Sequence, residues 1–434
     1  MIYGDFLRSK STGHYLAVFL NTGKGSAENY GSCVAEVSFN PFDPEFRKNP
    51  YPFYDKLREL DPVHLTPLGF VVLTRYEDVA NTLRSNDFSR DIELNANLPE
   101  TPTRKFRREN ERSKSMLNLD PPDHTRLRRL VSKSFTPSAI EKLRQRIQQL
   151  VDDSLANAKE TGSLELVEEL AFPVPFQVIS DLLAMPTDRG EELREWSQII
   201  TATLEPTTGV DDLERGQIAI NKMRPYLKEV INHRRKNMGD DMLSSLISVE
   251  EQGEKLNNEE LMSFVILLYI AGHETTVNLI GNSMHALLTH PEQLAVMRKT
   301  GCTPNMVDEL LRFNGPVQHT IRTPLVDSVI RVGQHDIKIS KGSLVLASLG
   351  ASNHDPSVFT NPHELDFSRN NSNKHLAFAA GVHYCLGASL AKLETEIALG
   401  TLVQAFKNIE VVSQPEWRDR LTIRGVSKYE LSVS

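Results

Sequence analysis

Three short stretches of this chain carry side chains that could do chemistry together. The first is "FAAGVHYCLG", Phe378 to Gly387, where a cysteine lies between two glycines and two residues after a histidine. A lone cysteine is often only a small buried hydrophobe. A zinc site would want four ligands, with cysteines in C-x-x-C pairs. The other cysteines, Cys33 and Cys302, are distant in sequence and have no such pairing. Behind Cys385, the residues Leu386, Leu390, Leu393 and Ile397 recur at the spacing of one helical face. That places Cys385 at the N-terminus of a core-packed helix, where partial positive charge and free N–H donors favour a thiolate. Gly381 permits a turn that a side chain would obstruct, and Gly387 lets something flat approach the backbone. A thiolate beside space for a planar group suits an axial ligand to haem iron. Phe378 would pack against the sulfur and keep water off it.

The second stretch is "AGHETT", Ala271 to Thr276, at the centre of a long helical pattern. Glycine and paired threonines are poor helix-interior residues. A threonine that bonds back to the preceding turn can bend a helix, so a packing kink is the plain reading. The chemical reading is sharper. Ala271 and Gly272 leave a gap over a flat cofactor, and Glu274 and Thr275 set an acid beside an alcohol. That pair can position and relay a proton for dioxygen reduction. The third stretch, "DPPDHTRLRRL", puts His124 and Arg128 at i, i+4 on one helix face. Both can reach one anionic group such as a haem propionate. "DELLRF" holds Glu309 and Arg312 at i, i+3, which alone reads as a solvated helical pair.

Phe378, Gly381, His383, Cys385 and Gly387 match the F-x-x-G-x-[RH]-x-C-x-G loop of the cytochrome P-450 haem-thiolate monooxygenases, and the chain resembles their soluble bacterial members from about Phe39 to its end. The resemblance implies haem b (iron protoporphyrin IX) bound through Cys385. "AGHETT" matches A-G-x-[DE]-T-T, which assigns Glu274 and Thr275 to catalysis and sets Ala271 and Gly272 against the cofactor. It also places Leu267, Ile270 and Ala271 on the substrate side. Val317 matches a wall position of the substrate pocket, and Arg322 and His383 match two further propionate-binding positions. Glu309 and Arg312 become a buried structural pair on the haem's proximal side, joined by Arg369. Ala379 departs from the glycine of many relatives. Little effect is expected there, because the position needs only a small residue.

The implied activity is activation of dioxygen to hydroxylate or epoxidise an apolar organic substrate, in secondary metabolism or catabolism. No flavin or iron–sulfur motif is present, so the electrons must come from outside, and the resemblance implies a ferredoxin and its reductase. Arg126 and Arg129, off the His124 face, are expected to meet that ferredoxin. Six basic residues in "RKFRRENERSK", Arg104 to Lys114, would favour an anionic substrate or carrier at the entrance. Two alternatives are a non-catalytic or gas-sensing haem protein and a peroxide-driven haem-thiolate enzyme. The first needs no Glu274–Thr275 pair, and the second typically loses it.

The elements that must hold these residues read as mainly α with a minor β part. The expected fold is one large cytochrome P-450 domain over 39–434, its haem between a long distal helix and the proximal cysteine-loop helix. The distal helix is expected from Asn257 or Asn258 to His290. Residues 90–120 read as a long loop with about one helical turn, and 1–38 as a loosely held N-terminal extension. The 434 residues are 39% hydrophobic and 24% charged, enough for a large core, with no linker or repeat after Phe39. A net charge of −8 and a pI of about 5.9 argue against a nucleic-acid partner. No apolar run approaches the ~20 residues of a membrane span. Three cysteines suit a reducing cytoplasm, and a monomer is expected.

Overall fold

The computed structural model describes residues 37–66, 69–95, 102–110, 115–186, 189–205, 208–251 and 254–434. All but the last two residues of the expected 1–38 extension lie outside them.

From the N-terminal side, helix α1 (Tyr51–Leu60) leads into strands β1 (Val63–Leu65) and β2 (Phe70–Leu73). These pair antiparallel, Val63 opposite Leu73. Helix α2 (Tyr76–Arg84) and strand β3 (Phe88–Ser89) follow. Where a long loop was expected, nine residues form helix α3 (Pro102–Asn110), with Arg107 and Arg108 in its last turn, where cations suit the helix dipole. Helices α4 (Asp123–Ser132) and α5 (Arg144–Thr161) precede strand β4 (Ser163–Glu165). Helices α6 (Pro173–Leu182), α7 (Gly190–Ala202) and α8 (Val210–Lys236) then lead to α9 (Asn258–Thr289).

Helix α9 is 32 residues long and organises the core. Asn257 caps it, its side chain accepting from the Glu259 and Glu260 N–H groups, while Glu260 reaches back to the Asn257 N–H at 2.9 Å. Residues 291 onward start a new helix with proline at its first position. By length and composition α9 could cross a membrane, but 72% of its most apolar window is buried inside the fold. Its apolar residues, among them Val265, Ile280 and Leu287, join those of α5, α6, α8 and a later helix in the largest core cluster. A helix apolar on all sides belongs in a core.

Beyond α9 come α10 (Pro304–Asn314), β5 (His319–Pro324) and β6 (Leu344–Ser348). Helix α11 (Ala388–Ala405) follows the cysteine loop. The chain closes with β7 (Ile409–Val411), β8 (Glu416–Trp417), β9 (Val426–Lys428) and β10 (Glu430–Val433). The main sheet runs β1-β2-β6-β5-β3, with β2 and β6 parallel. A second sheet runs β7-β10-β4 and sews the last strand to the middle of the chain.

Candidate functional site

The helix after Cys385 begins at Ala388, so the cysteine stands two residues before the N-cap, Gly387. Leu390, Leu393 and Ile397 are buried on one face, as their spacing expected. The Cys385 N–H donates to Phe378 O at 3.0 Å and closes the loop. Gly381 sits at φ +71°, and a Cβ there would come within 2.5 Å of Leu83 O on α2. Only glycine meets both demands. Gly387 faces open space. The approach to the loop is pinned by Asp308, which takes His375 Nε2 at 3.3 Å and Lys392 Nζ at 2.8 Å.

Ala379 corrects the expectation that its position needs only a small side chain. Its φ is +59°, in the left-handed region that favours glycine. An L-residue there carries about 1–2 kcal/mol of strain, part of which glycine returns to unfolded-chain entropy. Ala379→Gly should therefore raise stability by up to about 1 kcal/mol. Thermal unfolding checks this, and an unchanged or lower midpoint would refute it.

Cys385 is exposed, yet burial still pushes its thiol up, against the weaker pull of the Gly387 N–H and Arg128. The residue thus lines a hollow inside the fold. A metal cation at the sulfur favours the thiolate.

The cationic groups converge. His124 and His383 pack ring to ring at 4.2 Å, although 259 positions separate them. His124 Nδ1 and His383 Nε2 are both buried with no hydrogen-bond partner. Burial, then His124, Arg322, Arg90 and Arg128, pushes His383 down to about 3. Burial first, and Arg90 next, pushes Arg322 down to about 9. Crowding of this kind marks a site built to receive negative charge. Arg90 escaped the sequence reading. Its guanidinium donates to Thr320 Oγ1 and Ile321 O, the same two acceptors Arg322 uses. Only its place directly after a short strand could have hinted at this.

Among the described residues, no three His, Cys, Asp or Glu side chains converge as a metal-ion site. A bare ion therefore has no ligand set at Cys385. One sulfur, a crowd of cations and an open glycine face fit an iron that brings its own planar ligand and its own carboxylates. The residues present fit haem.

On α9 the helix continues unbroken through the second motif. Thr275 Oγ1 donates back to Ala271 O at 2.9 Å, and Thr276 Oγ1 to Gly272 O at 3.4 Å. Ala271 is exposed and Leu267 half-buried, while Ile270 is buried. Val317 bridges antiparallel to Ile423. Glu274 is 1% exposed. Arg420 Nη1 holds its Oε1 at 2.9 Å and Arg418 Nη1 approaches the same oxygen at 3.9 Å, while Oε2 is unpartnered. Two residues beyond Glu274, Thr276 stands beside Glu394 of α11 and favours its charged form, an effect that burial outweighs. Burial pushes the Glu394 carboxyl up to about 8, and its Oε2 has no partner.

Glu309 and Arg312 are fully buried and paired through two bonds of 2.8 Å. Arg369 joins at 3.1 Å, in the third place the resemblance gave it. Arg312 also holds the carbonyls of Asn353, Pro362 and Glu364, so the trio fixes the segment that leads to the cysteine loop. Breaking such a pair typically costs about 3–5 kcal/mol.

Two surface expectations change. Arg126 is ion-paired with Glu260 at the start of α9, so it does not offer an unengaged charge to a partner. In the basic stretch, Arg104 binds Glu93 and two backbone carbonyls, and Arg107 donates to Thr203 O. Those charges knit α3 into the fold. Arg112 and Lys114 lie outside the described residues.

A family model described as Cytochrome P450 matches residues 45–301 and 295–428. The chain is 36% identical over 399 residues to "Cytochrome P450 107B1" of Saccharopolyspora erythraea, covering 89% of this chain and 96% of that protein. It is 38% identical over 395 residues to "Cytochrome P450 monooxygenase PikC" of Streptomyces venezuelae, covering 88% and 90%. The crystal structure of P450BioI in complex with hexadec-9Z-enoic acid ligated acyl carrier protein superposes with a TM-score of 0.82 at 36% identity, covering 90% of this chain and 99% of that one.

Proposed function

This chain belongs to the cytochrome P450 family, and from that premise we propose that it hydroxylates or epoxidises an apolar organic substrate with electrons from a ferredoxin and its reductase. The protein is an oxidoreductase of the haem-thiolate monooxygenase class, and its cofactor is haem b.

Cys385 would hold the iron, while Arg90, His124, Arg128, Arg322 and His383 would meet the carboxylates. When bound, the haem supplies reductive activation of dioxygen. The protein's share is to push charge through the sulfur, exclude water and place a proton. The observation that carries the reading is the retained pair on α9. Thr275 presents a hydroxyl oriented by Ala271 O, and Glu274, its neighbour in sequence, is a carboxyl shielded from bulk water. A passive haem carrier has no use for that pair, and a peroxide-driven enzyme typically lacks it. Ala271, Leu267, Ile270 and Val317 would border the substrate. A cytoplasmic setting is supported by Cys302 and Cys385, both free thiols.

The test is a Soret-shift binding screen over fatty acids, polyketides, terpenes and peptides, followed by turnover of the best ligand under labelled dioxygen with a ferredoxin and its reductase. One labelled oxygen in the product supports the reading. Turnover with peroxide alone, or product without label, overturns it.

A further inference from the structure

A second hollow lies away from the cysteine loop, between α4 and the start of α9. Its volume is about 440 Å³, within the range of small-molecule sites. The floor is apolar and built from Met116, Leu127, Val131 and Phe264, all buried. Leu127 and Val131 stand at i, i+4 on α4, so they share one face of that helix. Along α9 the lining ends at Phe264, seven residues before Ala271 and about 10 Å from it along the helix axis. None of Leu267, Ile270, Ala271 and Val317 is among the described residues that line it, so the hollow is separate from the expected substrate side.

The rim is charged, and its charges do not balance. Asp123, Glu259 and Glu260 meet a single cation, Arg126. Arg126 is engaged by Glu260, and Glu259 is held from outside the hollow by Arg224 of α8 at 2.6 Å. Asp123 is exposed in the first turn of α4, with no side-chain hydrogen bond or ion pair among the described residues. The α9 amides that could greet an anion, those of Glu259 and Glu260, are already taken by the Asn257 cap. What remains at the rim is one carboxylate over an apolar floor. An anion would be repelled by it, and a neutral apolar molecule would cover the floor but leave the charge. A molecule with an apolar body and one positive charge matches both.

We propose that this hollow is a binding site for a small organic ammonium ion, its apolar body on the floor and its charge beside Asp123. The site takes no part in the chemistry at Cys385 and does not rest on the haem-thiolate reading above.

The experiment is a calorimetric titration of the holoenzyme saturated with imidazole, which occupies the iron and leaves the hollow open. The probe is benzyltrimethylammonium, whose quaternary nitrogen can neither ligate iron nor lose a proton. Neopentylbenzene is its neutral counterpart and phenylmethanesulfonate its anionic one. The cation should bind about threefold more tightly than the neutral molecule, the size expected of one partly exposed ion pair, and the sulfonate should bind more weakly than either. Asp123→Asn should erase the preference for the cation and leave the neutral molecule unchanged. Val131→Phe fills the floor and should abolish binding of both. Leu256→Trp closes the hollow from its half-buried edge and should do the same, so it decides the matter if Val131→Phe folds poorly. Equal binding of cation and sulfonate, cation binding that survives filling, or no cation binding at all would overturn the site. A wild type that failed to bind imidazole would count against the haem reading alone, and the same titration without imidazole would still decide the hollow.

Discussion

Cys385→Ser is expected to lose the thiolate spectrum completely and to retain little or no turnover. The sulfur has no substitute set of ligands, because no group of three or more His, Cys, Asp or Glu side chains that could hold a metal ion occurs among the described residues. Serine preserves the loop, since the bond that closes it runs between the backbone of residue 385 and Phe378 O. The substitution therefore removes the ligand and leaves its scaffold. The measurement is the absorption of the reduced carbon monoxide complex. Persistence of the thiolate band in the variant would mean that iron is held elsewhere.

The second large effect is expected from Thr275→Ala. Its hydroxyl hydrogen is committed to Ala271 O, so its lone pairs are presented outward at a fixed place. If that hydroxyl places the proton for dioxygen reduction as proposed, its removal would leave protonation inefficient. Consumption of reducing equivalents should continue, but hydrogen peroxide should replace product, with coupling falling by on the order of tenfold or more. Measuring peroxide and product against electrons consumed checks this. Unchanged coupling would remove Thr275 from the chemistry and leave it as a helix-packing residue.

Much of the site was legible because its parts are local in the chain. The cysteine loop, the acid–alcohol pair and the i, i+4 His124–Arg128 face each fit within one or two turns, and each motif carries its own backbone logic. The Asn257 cap and the buried faces of α9 and α11 were readable for the same reason. What escaped depends on contacts that sequence spacing does not encode. The Glu274–Arg420 pair joins residues 146 apart. Arg90 becomes part of the cation cluster only because β3 pairs with β5. Ala379 was misjudged by size when its backbone angle decides. Charge patterns misled in their own way: Arg104, Arg107 and Arg126 look like free surface charge until the carbonyls and carboxylates they hold are known.

Glu394 gives the molecule an alkaline limit. In the unfolded chain this carboxyl ionises near 4.5, while in the fold burial keeps it protonated to about 8. Below the lower value both states hold the proton. Between the two, only the unfolded chain releases it, so each pH unit there subtracts up to about 1.4 kcal/mol of stability. Past 8 the penalty is complete, and a bare charge lies wedged between the helix that carries Thr276 and the helix that follows Cys385. The joint between the oxygen side and the sulfur side of the enzyme is therefore a fuse that rising pH burns. Glu394→Gln should flatten the decline of thermal stability between about pH 5 and 8 while leaving its acidic side unchanged. An equally steep decline in the variant would place the fuse elsewhere.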